Sequence, residues 1–290
     1  MKLMRVVDRG NIINLALIKE EVYRLKEDAV NALIRYSRTG AVNGERTQLD
    51  VEGLLKKFEV GGVKITKPLD PPEVWGSGIS YEISRARYSE EDVAKIMGKT
   101  IYERVYEAER PEIFFKATAN RCVGHGEPIV VRRDSQWTLP EPELGVVLDS
   151  KGKVLGYTVV DDVSARDIES ENPLYLPQSK IYAGCCAIGP VVVTVDEIPN
   201  PYSLGISLRI LRSGKVLYEG STSTSRLRRR IEEQVDYLIR DNPIPDGTVL
   251  TTGTGIVPGR EYGLKHGDMV EISIEGIGTL ITPVVKSGYL

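Results

Sequence analysis

The chain has 290 residues, 41% hydrophobic and 27% charged, and a formal net charge of -3. That balance supplies a packed interior, excludes collagen-like, coiled-coil and disordered classes, and gives no general attraction for nucleic acid or anionic membranes. The longest apolar runs, such as 191–195, are strand-sized, far from the roughly 20 residues of a membrane helix.

The opening residues carry no apolar secretion segment, so a cytoplasmic protein is expected. Three cysteines, two of them adjacent at Cys185 and Cys186, fit neither a disulfide framework nor a zinc site. They read as buried, reduced, small apolar residues.

Residues 1–70 read as a small N-terminal α/β domain and 71–290 as a larger, mostly β domain. A helix is expected over 19–37, where Val22, Leu25, Ala29, Leu33 and Tyr36 recur at three- and four-residue steps before Thr39-Gly40 stops it. A second helix is expected over 50–58, capped by Asp50. Pro68, Pro71 and Pro72 form a linker.

Beyond Glu73, strands are expected at 129–131, 144–149, 154–161, 191–195, 206–211 and 269–274, with a hairpin tip at Arg212-Ser213-Gly214-Lys215. The clearest helix in this part is 226–240, striped by Leu227, Ile231, Val235 and Leu238. Frequent strands without regular intervening helices exclude a doubly wound sheet. They point to an α+β, mostly β architecture built as a barrel, roll or sandwich.

The chemistry concentrates in two segments. In Glu141-Pro142-Glu143-Leu144 an extended backbone puts both glutamates on one face. At ~6 Å and an effective dielectric of ~20 their repulsion is ~3 kcal/mol. The pair is therefore either solvated at a sheet edge or answered by a cation. A third acid comes from Asp161-Asp162, where the apolar strand 154–160 ends. Asp161 could instead cap the helix that follows, as could Ser164. Oxygen ligands without a nearby histidine suit magnesium, manganese or calcium. Lys180, alone in an otherwise uncharged stretch that leads into an expected turn at Gly189-Pro190, is the candidate to neutralise the residual charge.

Together these segments resemble the fumarylacetoacetate hydrolase superfamily: Glu-x-Glu-Leu, then Gly156-Tyr157-Thr158 leading to Asp162-Val163-Ser164-Ala165-Arg166-Asp167, Lys180, Gly189-Pro190, and Thr252-Gly253-Thr254. The match spans roughly Trp75 to Val284. It implies the family's mixed β-roll, a homo-oligomer (dimer or tetramer), and a divalent ion on Glu141, Glu143 and Asp162 with Lys180 beside the substrate. Phe114-Phe115-Lys116-Ala117 is similar to the family's Phe-x-Lys-Pro, which makes Lys116 a candidate contact for a substrate anion. By strand alternation Glu112 faces the same way. Thr254 aligns with a threonine expected to bond a substrate carboxylate.

The chain departs from the family's hydrolases where they carry a catalytic histidine, because Ser84 stands there, within Ser84-Arg85-Ala86-Arg87. Serine alone cannot activate water near neutral pH. His125 and His266 both read as surface turn residues. The remaining chemistry is enolate chemistry on a 2-oxo acid, and the pattern resembles the family's dehydratases of 2-keto-3-deoxy sugar acids. Magnesium is then the expected cofactor, Lys180 and Glu112 the proton-transfer candidates, and Ser84, Arg85, Arg87, Lys116 and Thr254 the substrate contacts. A hydrolase recruiting His125, an oxaloacetate decarboxylase and an inactive metal-binding scaffold are the alternatives. Gly253-Thr254-Gly255 is no phosphate loop, since glycines and a proline follow where a helix would be needed.

Overall fold

The computed structural model describes residues 1–84, 86, 95–96 and 99–288. Three strands rich in valine, isoleucine and leucine, Pro142–Leu148, Val154–Asp162 and Cys186–Thr194, are almost wholly buried on both faces. Such runs belong in the middle of a sheet. They pair antiparallel, with Leu144 opposite Val159 and Val146 opposite Tyr157.

Outward from this centre on one side lie Thr248–Thr251, Val74–Gly78 and Glu112–Ala117; on the other lie Lys2–Asp8, Asn11–Ile18, Glu21–Leu25 and Gly44–Thr47. Thr248–Thr251 runs parallel to Val74–Gly78, so the sheet is mixed. The strand order has two free ends and does not close, which removes the barrel from the expected architectures. The first strand pairs at Lys2 with Val193 of a central strand, so the N-terminal strands continue the same sheet.

Side-chain alternation divides the interior in two. Leu144, Val146 and Leu148 face a second sheet that brings Leu208, Ile272 and Leu280. Val147, Leu155, Val160 and Val192 face the helix Ala29–Thr39 through Ala29, Ala32 and Leu33. Each fully buried Leu or Val contributes about 1.5–3 kcal/mol over an exposed one.

Expected strands at 129–131 and 269–274 appear as Ile129–Val131 and Met269–Ile274. The hairpin tip also holds: Arg212 pairs with Lys215, and Ser213 and Gly214 both take positive φ, 52° and 74°. That conformation is what a two-residue hairpin of the right twist requires.

Three expectations are corrected. The helix over 19–37 is a strand, Glu21–Leu25, followed by a helix, Ala29–Thr39, capped by Asp28. Val22 pairs with Leu17 on one side and Thr47 on the other, and those sheet contacts override a spacing that also fits a helix. The helix over 226–240 begins only at Ile231. The segment before it crosses to another element, with Arg228 N donating to Ser80 O and Arg229 donating to the carbonyls of Ala108 and Glu109. Finally, Gly189-Pro190 is no turn but lies inside Cys186–Thr194. The register shifts between Tyr157 and Val159, and Thr158 Oγ1 donates to Val191 O at 2.8 Å across the irregularity. Among the described residues no helix is long and apolar enough to cross a membrane.

Candidate active site

Strand register brings the acids together. Asp162 N donates to Glu141 O at 3.0 Å, and Glu143 lies opposite Val160. Alternation therefore turns Glu141, Glu143 and Asp162 to one face of two neighbouring strands, and Asp161 to the other. All three acids are buried, and each offers a carboxylate oxygen within 4.8 Å of the others. Asp161 does not cap a helix. Its Oδ1 accepts from Glu141 N at 2.9 Å and steadies the strand that carries the first ligand candidate. Burial raises its carboxyl to about 8.

Gly253 supplies a further anchor. At φ +90° its N–H reaches Glu143 Oε2 at 2.7 Å, and a Cβ there would lie 1.9 Å from Ser80 Oγ. Only glycine accommodates both the backbone and the approach.

Two lysines answer the acids. Lys180, the last residue of the short helix Leu176–Lys180, places Nζ 2.8 Å from Glu141 Oε2, 2.9 Å from Asp162 Oδ2 and 2.6 Å from Ser164 Oγ. Lys116 places Nζ 2.5 Å from Asp162 Oδ1 and 2.8 Å from the carbonyls of Val163 and Lys180. The Lys116 expectation is thereby corrected. It is fully buried with three acceptors, and it holds Asp162 and the Lys180 backbone in place of a substrate anion.

Burial works against the Asp162 carboxylate, but the two lysines outweigh it and hold it below the usual range. Burial pushes Glu141 up despite Lys180, and pushes Glu143 well up with Asp162 and Glu141 adding to it. An all-oxygen set in which two carboxylates are short of compensating charge fits a hard divalent cation such as magnesium.

The acids open on a small cavity of about 30 Å³ that Glu112, Ser84, Lys180 and Thr254 also line. Glu112 lies opposite Gly78, whose missing Cβ would sit 2.0 Å from Glu112 Oε2. Burial, then the Glu169 carboxylate, raises Glu112 to about 7. Phe114, two residues along the same strand, sets its ring 5.2 Å from Lys180 Nζ.

Ser84 donates its hydroxyl to Thr254 O and ties the segment at 82–84 to the turn that follows Thr248–Thr251. Thr254 Oγ1 donates to Ile256 O at 3.1 Å and accepts from Ile256 N. Its hydroxyl closes a turn, where a bond to a substrate carboxylate was expected. Arg85 and Arg87 lie outside the described residues.

His125 is corrected. It is buried, its Nε2 meets Leu55 O at 2.9 Å and its Nδ1 accepts from Ile281 N at 3.1 Å. Both ring nitrogens are engaged away from the cavity, so it cannot serve as a recruited base. His266 is exposed, as expected.

Sequence reasoning missed Arg166, Glu169 and Tyr102. Arg166 Nη1 is 2.7 Å from Glu169 Oε1, and its guanidinium meets Tyr102 Oη. The three-residue spacing on one helical turn was the available signal.

Residues 82–285 match the family described as fumarylacetoacetate (FAA) hydrolase C-terminal. The chain belongs to the fumarylacetoacetate hydrolase family. To a fellow member, the 2-dehydro-3-deoxy-D-arabinonate dehydratase of Saccharolobus solfataricus, it is 69% identical over 288 residues, 99% of this chain and 97% of that one. It is 49% identical over 219 residues to a probable 2-keto-3-deoxyxylonate dehydratase of Haloferax volcanii, covering 76% of this chain and 74% of the relative. A solved structure of 2-keto-3-deoxy-D-arabinonate dehydratase complexed with magnesium and 2,5-dioxopentanoate is 66% identical, with a TM-score of 0.94 over 99% of both chains. The likenesses to the Saccharolobus enzyme and to the solved structure cover 99% of this chain and so take in the first seventy residues, outside the family match.

Proposed function

We propose that this member of the fumarylacetoacetate hydrolase family is a magnesium-dependent dehydratase converting 2-keto-3-deoxy-D-arabinonate to 2,5-dioxopentanoate and water in pentose breakdown. The observation that carries the proposal is the make-up of the cavity. It holds the three clustered carboxylates, a lysine, Glu112 and Glu169, and no histidine among the described lining residues. The full-length likeness to the Saccharolobus enzyme supports the choice of substrate.

Glu141, Glu143 and Asp162 would hold the ion. When bound there, magnesium supplies a Lewis acid for the carboxylate and 2-oxo oxygens of the substrate, which makes the C3 proton acidic. Three carboxylates and two ammonium groups leave one negative charge, and a divalent ion turns that into one positive charge, the complement of a 2-oxo acid anion.

Lys180 has an acceptor for each of its three ammonium donors. It serves as a fixed positive charge that orients Glu141 and Asp162. Glu112 is the proton carrier: its carboxyl, raised to about 7, is poised both to accept and to return a proton near neutral pH. It takes the C3 proton and gives it to the C4 hydroxyl, which departs as water. The hydroxyl hydrogen and one carbon-bound hydrogen of C5 then end on C4 and C3, which yields the aldehyde. Phe114, Ile79 and Leu176 in the cavity wall limit the entry of bulk water. A homo-oligomer, dimer or tetramer, and a cytoplasmic location belong to the same proposal on the family resemblance.

The test is to incubate the protein with 2-keto-3-deoxy-D-arabinonate and magnesium and to weigh the product. Loss of one water, abolished by chelation, is expected. Unchanged substrate, or pyruvate released from a 2,4-dioxo acid instead, would overturn the proposal.

A further inference from the structure

Among the described residues, a carboxylate oxygen of Glu169 in the cavity wall has no hydrogen-bond donor. Glu169 lies on the helix Arg166–Glu171, just beyond the turn that follows Asp162, and is 8% exposed. It lines the same cavity as Glu112. Its Oε1 is held by Arg166 at 2.7 Å, while its Oε2 is buried with no hydrogen-bond partner among the described residues. Arg166 is 1% exposed and fixed in turn by Tyr102, whose Oη lies 3.3 Å from both Nη1 and Nη2. The carboxylate is thus clamped at one oxygen with the other left over.

A buried acceptor without a donor is costly, and native proteins rarely keep one unless a ligand or water supplies the hydrogen. Glu169 also stands toward Glu112. Among the charges acting on Glu112 it outweighs Lys180, Glu141 and Asp162. The cavity therefore runs from the three acids, past Lys180 and Glu112, to an unpaired acceptor.

Resting on the reading of this cavity as a 2-keto-3-deoxy sugar acid site, we propose that Glu169 recognises the terminal hydroxyl of the substrate, with Oε2 accepting the C5 hydroxyl hydrogen. The 2-oxo acid end is held at the triad and the reacting carbons lie at Glu112. A substrate without that hydroxyl leaves Oε2 buried and unpaired, so the site selects against it.

The test compares kcat/KM for 2-keto-3-deoxy-D-arabinonate and for its 5-deoxy analogue, 4-hydroxy-2-oxopentanoate, with magnesium saturating and water loss read by mass. The wild-type protein is expected to prefer the hydroxylated acid by about 10- to 100-fold, the range of a hydrogen bond to a charged group. Glu169→Leu is expected to bring the two within about threefold, chiefly by lowering the first, with magnesium affinity by calorimetry unchanged. Glu169→Gln, which keeps an oxygen for Arg166, is expected to fall between the two and carries the test if the leucine variant does not fold. Equal losses on both acids, or an intact preference, would overturn the proposal. If the wild-type protein dehydrates neither acid, the dehydratase reading fails by itself. Calorimetric binding of the two acids to the magnesium-loaded protein then reads the same preference: a preference that Glu169→Leu removes supports the role of Glu169, and equal or absent binding overturns it.

Discussion

Lys116 Nζ stands 2.5 Å from Asp162 Oδ1, and the other oxygen of the same carboxylate stands 2.9 Å from Lys180 Nζ. One buried acid is shared between two buried cations, and their combined charge keeps it ionised. Asp162 is thereby ready to meet a metal ion without first losing a proton.

Replacing Lys116 by methionine keeps the stem and removes the charge. Asp162 then loses one of its cations, and two carbonyls lose their donor. Breaking a buried pair in this way is expected to destabilise the protein by about 3–5 kcal/mol in urea unfolding. A loss under about 1 kcal/mol would show that Lys116 is not holding the cluster.

The proton carrier has a pH signature. Glu112 is raised to about 7, so it is mostly protonated below that pH and ionised above it. A base must be ionised, so kcat/KM is expected to rise with pH and level off above about 7. Glu112→Gln is expected to lose about 100- to 10,000-fold in kcat together with that limb of the profile. A variant that keeps the limb would assign it to another group.

Gly78 separates position from stability. A Cβ there would meet only the end of the flexible Glu112 side chain, 2.0 Å from Oε2. Gly78→Ala is expected to leave the melting temperature within about 2 °C and to lower kcat by about 10- to 100-fold, because the carboxylate must move. A large drop in melting temperature with normal kcat would contradict this placement of Glu112.

Much of the site was legible because it depends on parity. Glu141 and Glu143 share a face in any extended chain, and the acidic end of the strand 154–162 had to supply the third acid. What the sequence could not say was that Glu141 lies opposite Asp162, since cross-strand register is set by the packing of Leu144, Val146, Tyr157 and Val159. Lys116 was misassigned because alternation gives a side and not a depth, and the strand shifts register between Phe115 and Ala117. His125 looked like a turn residue between two glycines, yet the backbone of Ile281 closes over it. The opening segment was misread because Val22 and Leu25 satisfy a helical spacing, while the pairing of Val22 with Leu17 on one side and Thr47 on the other shows only in the folded chain.

Metal and protons compete for the same oxygens. Burial raises Glu141 and Glu143, so at low pH both carry protons that an ion must displace. Magnesium at about 100 times its dissociation constant is expected to stabilise the protein by about 2.7 kcal/mol at pH 8. The accompanying rise in melting temperature is expected to shrink as the pH is lowered. A rise that is independent of pH would place the ion on other ligands.

The most direct measurement is anomalous diffraction from crystals soaked in manganese, which replaces magnesium at oxygen sites. One strong peak per chain, bonded to oxygens of Glu141, Glu143 and Asp162, is the predicted result. A peak elsewhere, or one that persists in the Glu143→Gln, Asp162→Asn double variant, would contradict it.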